Sequence, residues 1–333
     1  MAEHRLTDWL PTTKKEVELR GWDELDVILF SADAYVDHPS FGAAVIGRVL
    51  EAEGLRVAIV PQPDWHGDYR DFKKLGKPRL FFGISPGCMD SMVNKYTANK
   101  RLRSEDAYSP DGRHDCRPEY PTIVYSRILR QLCPDTPIVL GGIEASLRRL
   151  THYDYWQDKL MPCILKDSGA DLIIYGMGEK PVAELSRKLA EGRSIHDIKE
   201  IPQTVYIAPK DRIDGGITKD DIVIHSHEEC LQDKKAQAEN FRVIEEHDAL
   251  LSKLMDEKTN PDKARTSKDG TPFEPSSKTL KKENKKKTVE RKKSTATMDR
   301  PSVRQELKDI KQQQLKSSAP KYPVRKKSKK KVR

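Results

Sequence analysis

LDVILFSADAYVDHPSFGAAVIGRVLEAEGLRVAIVP, residues 25–61, places two apolar runs on either side of a helical pattern. The first run, LDVILF (25–30), ends at Ser31, and residues 33–40 are polar and turn-rich. Pro39 then opens a helix, with Asp37 or His38 near its N-cap and the proline in the first turn. Phe41, Val45, Val49 and Leu50 recur at helical spacing, and Gly54 stops the pattern. LRVAIV (55–60) follows and ends at Pro61. A strand–helix–strand unit of about 35 residues has the size of a parallel crossover.

The theme repeats downstream. RLFFGI (79–84) is a strand ending at Ser85, and residues 120–132 are a helix with Ile123, Ile128, Leu129 and Leu132 inward. PIVL (137–140) runs into Gly141-Gly142, and DLIIY (171–175) runs into Gly176, Met177, Gly178 and Glu179. Pro181 opens a further helix, 181–191, closed by Gly192. Strands that are apolar throughout suit a parallel sheet buried on both faces. The expected fold is therefore a doubly wound, mostly parallel α/β Rossmann-like domain over 20–205, preceded by an extension, 1–19. A connecting strand and helix segment, 206–255, would follow, with 221–230 as strand and turn.

In such sheets the ligand crevice lies beyond the carboxyl ends of the strands. The loops there are 31–38, 61–70, 85–118, 141–156 and 176–180, and they supply the candidate site residues. These are Asp33, Asp37, His38, Ser85, Glu144, Arg148, Arg149, His152, Asp154, Gly176, Gly178 and Glu179. Arg148 and Arg149 can grip an anion, with Glu144 or Asp154 as acid or base; alternatively Glu144 and Arg148 are an i,i+4 pair on a solvated helix face. The glycine turn 176–178 can hold a phosphate on its amides, although Glu179 repels an anion; the other reading is a tight turn. His225 and His227 would share one face of a strand and, with Glu228 and Cys230, offer zinc donors, but no second clip completes the site. Loop 85–118 exceeds ordinary connection lengths. Its Met89, Met92, Tyr96 and Tyr108 suit a lid or partner surface.

Charge divides the 333-residue chain. Residues 255–333 carry 26 Lys/Arg against 10 Asp/Glu, while residues 1–254 carry 35 against 42, so the overall +9 belongs to the tail. A basic nucleic-acid-binding core is thereby excluded as the default. The tail, 256–333, is rich in Lys, Ser, Thr and Pro, and is expected to be disordered with nonspecific affinity for nucleic acid. No apolar stretch approaches the ~20 residues of a membrane span. Five cysteines without a signal-peptide pattern read as reduced thiols in the cytoplasm.

DAYVDHPSFG (33–42), residues 75–112 from LGKPRLFFGISPGCMDSM onward, and LGGIEASLRRLTHYDYW (140–156) closely resemble the N-terminal region of the YgiQ-type radical SAM proteins, over roughly residues 10–245. VLGG (139–142) and DLIIYGMGE (171–179) look like the cobalamin-binding-type Rossmann module that precedes many radical SAM barrels. The resemblance implies a central barrel, a [4Fe–4S] cluster, S-adenosyl-L-methionine and an undefined substrate. Two departures stand out. The cluster needs three closely spaced thiolates, usually C-x3-C-x2-C, and Cys88, Cys116, Cys133, Cys163 and Cys230 form no such triplet. The cobalamin signature D-x-H-x-x-G also fails, because Asp37 directly precedes His38 and Gly42 lies four residues on. The expectation is a family member without the barrel, as if it were lost near His247, and with no cofactor on this chain as it stands. It is either catalytically incomplete, or a module that binds a ligand, a partner protein or the missing barrel through 85–118 and 141–156, or an RNA-associated protein acting through its tail.

Overall fold

The computed structural model describes residues 8–208 and 221–259. In chain order its elements begin α1 (Lys14–Leu19), β1 (Val27–Ser31), α2 (Gly42–Ala52), β2 (Val57–Pro61), α3 (Arg70–Lys73), β3 (Phe81–Ser85), α4 (Ser91–Lys95), α5 (Pro121–Leu132) and β4 (Ile138–Leu140). They continue α6 (Gly142–Leu147), β5 (His152–Asp154), β6 (Lys159–Met161), α7 (Ile164–Ser168), β7 (Leu172–Ile174), α8 (Glu179–Ala190), β8 (Thr204–Val205), α9 (His227–Gln232) and α10 (Lys234–Thr259).

The central sheet has the order β2-β1-β3-β4-β7-β8. Its pairs are parallel except β7 with β8, which is antiparallel. Every residue of β1 is buried, and in β2 and β3 only the last is partly exposed, as a sheet covered on both faces requires. Successive side chains part to opposite faces. Ile28, Phe30, Phe82, Ile84 and Leu140 pack with Tyr125 and Leu129 of α5 and Leu165 of α7. Val27, Leu29, Phe81, Val139 and Ile174 pack with Leu50 of α2 and Val182 and Leu185 of α8. The chain thus leaves β1 on one face and β3 on the other. The topological switch point falls between these two strands, and a crevice belongs at their carboxyl ends. At the opposite ends, Asp26 takes Arg56 at 2.9 Å and Arg79 at 2.7 Å. Burial alone would raise its carboxyl, but hydrogen bonds from Arg56 and Arg79 hold it at about 2.

Several local expectations are corrected. Helix α2 starts at Gly42 with Phe41 as its N-cap, so Pro39 lies outside it and neither Asp37 nor His38 caps it. Asp37 instead pairs with Arg48, in the second turn of the helix, and the His38 ring accepts the Ser40 N–H at 3.1 Å. Helix α8 begins at Glu179, two residues before Pro181. Part of loop 141–156 is helix α6 and strand β5, which pairs with β6 in an antiparallel hairpin. Residues 221–226 form no strand, and His227 opens α9, so His225 and His227 do not share a strand face. Phe241 of α10 is exposed. Helix α10 runs to Thr259, into the segment expected to be unstructured; the rest of that segment, from residue 260, lies outside the described residues. Among the described residues no helix is long and apolar enough to cross a membrane.

Candidate functional site

A crevice of about 320 Å³ opens over the carboxyl ends of β1, β3, β4 and β7, walled on one side by α2 and α8. That is the lower end of small-ligand pocket sizes, roughly 300–1,000 Å³. Its floor is strand-end side chains such as Phe30, Ile84, Leu140 and Ile174, and its upper wall is largely glycine backbone at 141–142, 176 and 178. Gly142 has φ +80°, and a Cβ there would meet Ser85 Oγ at 2.9 Å. Gly141 is different: its backbone is extended, and a Cβ would meet nothing closer than the Ile174 carbonyl at 3.8 Å. Of the sequence candidates, Ser85, Gly176, Gly178 and Glu179 line this crevice.

Asp33 sits beside it, in a buried ion network that ties loop 85–118 to the sheet. Arg117, almost wholly buried, donates to Asp33 at 2.9 Å and forks onto Asp106 at 2.9 and 3.0 Å. Asp33 also accepts the Cys88 N–H at 2.6 Å. Gly87, at φ +99°, permits this approach, since a Cβ there would lie 2.1 Å from Asp33 Oδ1. Burial pushes Asp33 above its ordinary range despite these donors. Asp106 is buried too, yet the Arg117 fork, Asn94 and the Tyr108 amide hold it below. The Cys88 thiol, beside the crevice mouth, donates to the Ser40 carbonyl at 3.1 Å and is pushed up to about 11 by burial and by the Asp33 charge.

A second buried network involves α6. Arg148 pairs with Asp90 of the long loop and stands 3.9 Å from Glu144. Glu144 is fully buried, so the pair is not on a solvated helix face. One Glu144 oxygen takes the Thr122 amide at 3.1 Å and the Thr122 hydroxyl; the other has no hydrogen-bond partner. Burial drives this carboxyl to about 7, with Arg148 and Thr122 opposing. Arg149 points away from Arg148, to Asp248 at 3.0 Å and across the Tyr175 ring. The two guanidinium groups therefore do not converge on an anion. Asp154 takes the amides of Trp156 and Gln157 and the Tyr120 hydroxyl, which closes the β5–β6 turn and holds its carboxyl down. The half-buried His152 accepts no shared role; its ring nitrogen lies 3.0 Å from the Leu150 carbonyl, and burial lowers its basicity. Sequence reasoning missed Arg117, Asp90, Asp106 and Thr122, because their meaning lies in partners far along the chain.

Among the described residues no group of three or more His, Cys, Asp or Glu is placed to hold a metal ion, and all five cysteines are described. The sulfur set of this chain does not fit a [4Fe–4S] cluster. Cys133 and Cys163 pack against the hydrophobic layer under α5 and α7. His38 is exposed and engaged with its own loop, which does not fit a cobalt ligand reaching across the crevice.

Residues 9–269 match the family model described as Radical SAM N-terminal. A "UPF0313 protein" of Bacteroides thetaiotaomicron is 70% identical over 257 residues, which is 74% of this chain and 41% of the relative. One from Porphyromonas gingivalis is 68% identical over 246 residues, 74% of this chain and 39% of that protein. One from Clostridium botulinum is 48% identical over 252 residues, 75% and 38%. The chain thus spans about two fifths of the length of the curated relatives it matches. Among solved structures, the radical S-adenosylmethionine methyltransferase TsrM of Kitasatospora setae, with tryptophan substrate and a SAM analog bound, is similar over 54% of this chain and 28% of its own. The TM-score there is 0.36 at 20% identity. A second structure of TsrM, with cobalamin and a [4Fe–4S] cluster bound, gives the same score over 54% and 26%.

Proposed function

The chain belongs to the radical SAM N-terminal family, and from that premise we propose that its α/β module is a ligand-binding unit whose crevice seats a small, mostly apolar molecule. The observation that carries this reading is the crevice of about 320 Å³ at the switch point, lined by apolar strand-end side chains and by glycine backbone, with no atom closer than 3.8 Å to where a Cβ on Gly141 would lie. On this reading the iron–sulfur and S-adenosyl-L-methionine chemistry that the resemblance implies belongs to the part of the relatives' length that this chain does not span. The residues of this chain bind and orient; they supply no thiolate triad. Two measurements test the proposal. Saturation-transfer NMR with benzamide as an uncharged aromatic probe is expected to show saturable binding that Gly141→Val abolishes without lowering the melting temperature. Binding unaffected by that substitution would remove the crevice from consideration. Anaerobic reconstitution with iron and sulfide is expected to leave less than one four-iron cluster per chain, and a stoichiometric cluster would overturn the assignment of chemistry.

A second reading, docking of a partner along loop 85–118 and residues 141–156, is favoured by one observation. Tyr153 and Tyr155 are 55% and 50% exposed, Val93 and Leu102 on the long loop are exposed as well, and Lys100 lies 4.7 Å over the Tyr155 ring. Exposed aromatic side chains with adjacent cations are typical of interface anchors. The test partner is the remaining part of the Bacteroides thetaiotaomicron relative, expressed as a separate chain. Association that Tyr153→Ala and Tyr155→Ala leave unchanged would refute this surface.

A further inference from the structure

Glu179 is the one charged side chain among the residues lining the crevice. It is half-buried, and its carboxylate makes no hydrogen bond or ion pair with the described residues. The rest of the lining is apolar side chain and glycine, relieved by Ser40 and Ser85. The Ser85 hydroxyl is already engaged, accepting the Gly87 N–H at 3.2 Å. Glu179 is also the first residue of α8, a helix of 12 residues whose N-cap, Gly178, offers no side chain to the free amides. A helix N-terminus facing a crevice ordinarily favours an anion. Here the first residue of that end is itself acidic, and Pro181 removes one of the free N–H donors. A phosphate or carboxylate entering the crevice would meet Glu179 in surroundings of low polarity, where like charges repel strongly. A cation or N–H donor would meet an acceptor that no described residue engages.

Resting on the ligand-binding reading above, we infer that the crevice takes a compact apolar molecule bearing a cationic or N–H-donating group directed at Glu179, and that it rejects phosphates and carboxylates. The chemical class is an amine, amidine or amino-substituted ring, not a phosphorylated nucleotide end. Met177, 73% exposed at the crevice edge, lets a larger apolar body continue outward from the buried end.

Three probes with one ring and three charges test this on the full chain: benzamidine, benzamide and benzoate, ranked by saturation-transfer NMR. Hydrogen bonds to charged groups imply that benzamidine binds roughly tenfold or more tightly than benzamide, with benzoate weakest. In Glu179→Gln the preference of benzamidine over benzamide is expected to fall to about twofold or less, with the melting temperature retained. A benzoate preference, or a benzamidine preference that survives Glu179→Gln, would overturn the inference. The two levels fail separately. Benzamide binding that Gly141→Val abolishes keeps the crevice as a ligand site even when the charge ranking is wrong. Absence of binding by all three probes in the parent protein overturns both.

Discussion

Replacing Glu144 by Gln should stabilise the protein, and increasingly so as pH rises. The carboxyl is fully buried, has one oxygen without a donor, and is raised from 4.5 to about 7, chiefly by burial. The neighbouring Arg148 does not neutralise it, because that guanidinium is committed to Asp90 and stands 3.9 Å away. Below pH 4.5 both the folded and the unfolded chain hold the proton, and the group contributes no pH-dependent penalty. Between 4.5 and about 7 the unfolded chain releases it while the folded one keeps it, so stability falls as pH rises. At about 1.4 kcal/mol per pH unit the accumulated loss is roughly 3 kcal/mol. Gln keeps the acceptor for the Thr122 amide and removes the titration. Urea unfolding of both proteins, from below pH 4.5 to above pH 7, should therefore show their difference widening by about 3 kcal/mol in favour of Gln. A constant difference, or one that moves against Gln with rising pH, would show that Glu144 is ionised in the fold and paired with Arg148, and would refute the reasoning.

Arg117→Met removes the cation shared by Asp33 and Asp106; leaving buried charge unpaired costs about 3–5 kcal/mol, read by urea unfolding, with faster proteolysis within 85–118 as the local signature. Gly87→Ala forces a Cβ onto Asp33 at a positive φ and should cost about 1–3 kcal/mol, whereas Gly54→Ala, also at positive φ but with open space around it, should cost less. Deleting residues 256–333 should abolish salt-dependent RNA binding, measured by filter retention at two ionic strengths; retention by the truncated chain would assign the affinity to the body.

The parallel sheet was legible because its signal is local. Apolar runs such as 25–30, 55–60 and 79–84 must be buried on both faces, and turn residues after each mark the strand ends. Listing the loops beyond those ends sufficed to include the crevice residues Ser85, Gly176, Gly178 and Glu179. Helix starts were less legible. At α2 the proline signal at Pro39 competes with Asp37, whose side chain is drawn to Arg48 and away from the helix cap.

The sequence alone determined the layered α/β class, the edge of the sheet where the crevice opens, the family resemblance and the lack of a closely spaced cysteine triplet. Tertiary structure alone decided which charged side chains point into the interior. Arg117 meets Asp33 across 84 residues and Arg148 meets Asp90 across 58, so no spacing rule reaches either pair. Adjacent arginines at 148 and 149 look equivalent in the sequence, yet one is buried against a carboxylate and the other turns outward to Asp248. Periodicity records which face of a strand or helix seeks the core. The partner of a buried charge is set by where the packed sheet brings distant loops together, because only there is water excluded enough for the pairing to matter.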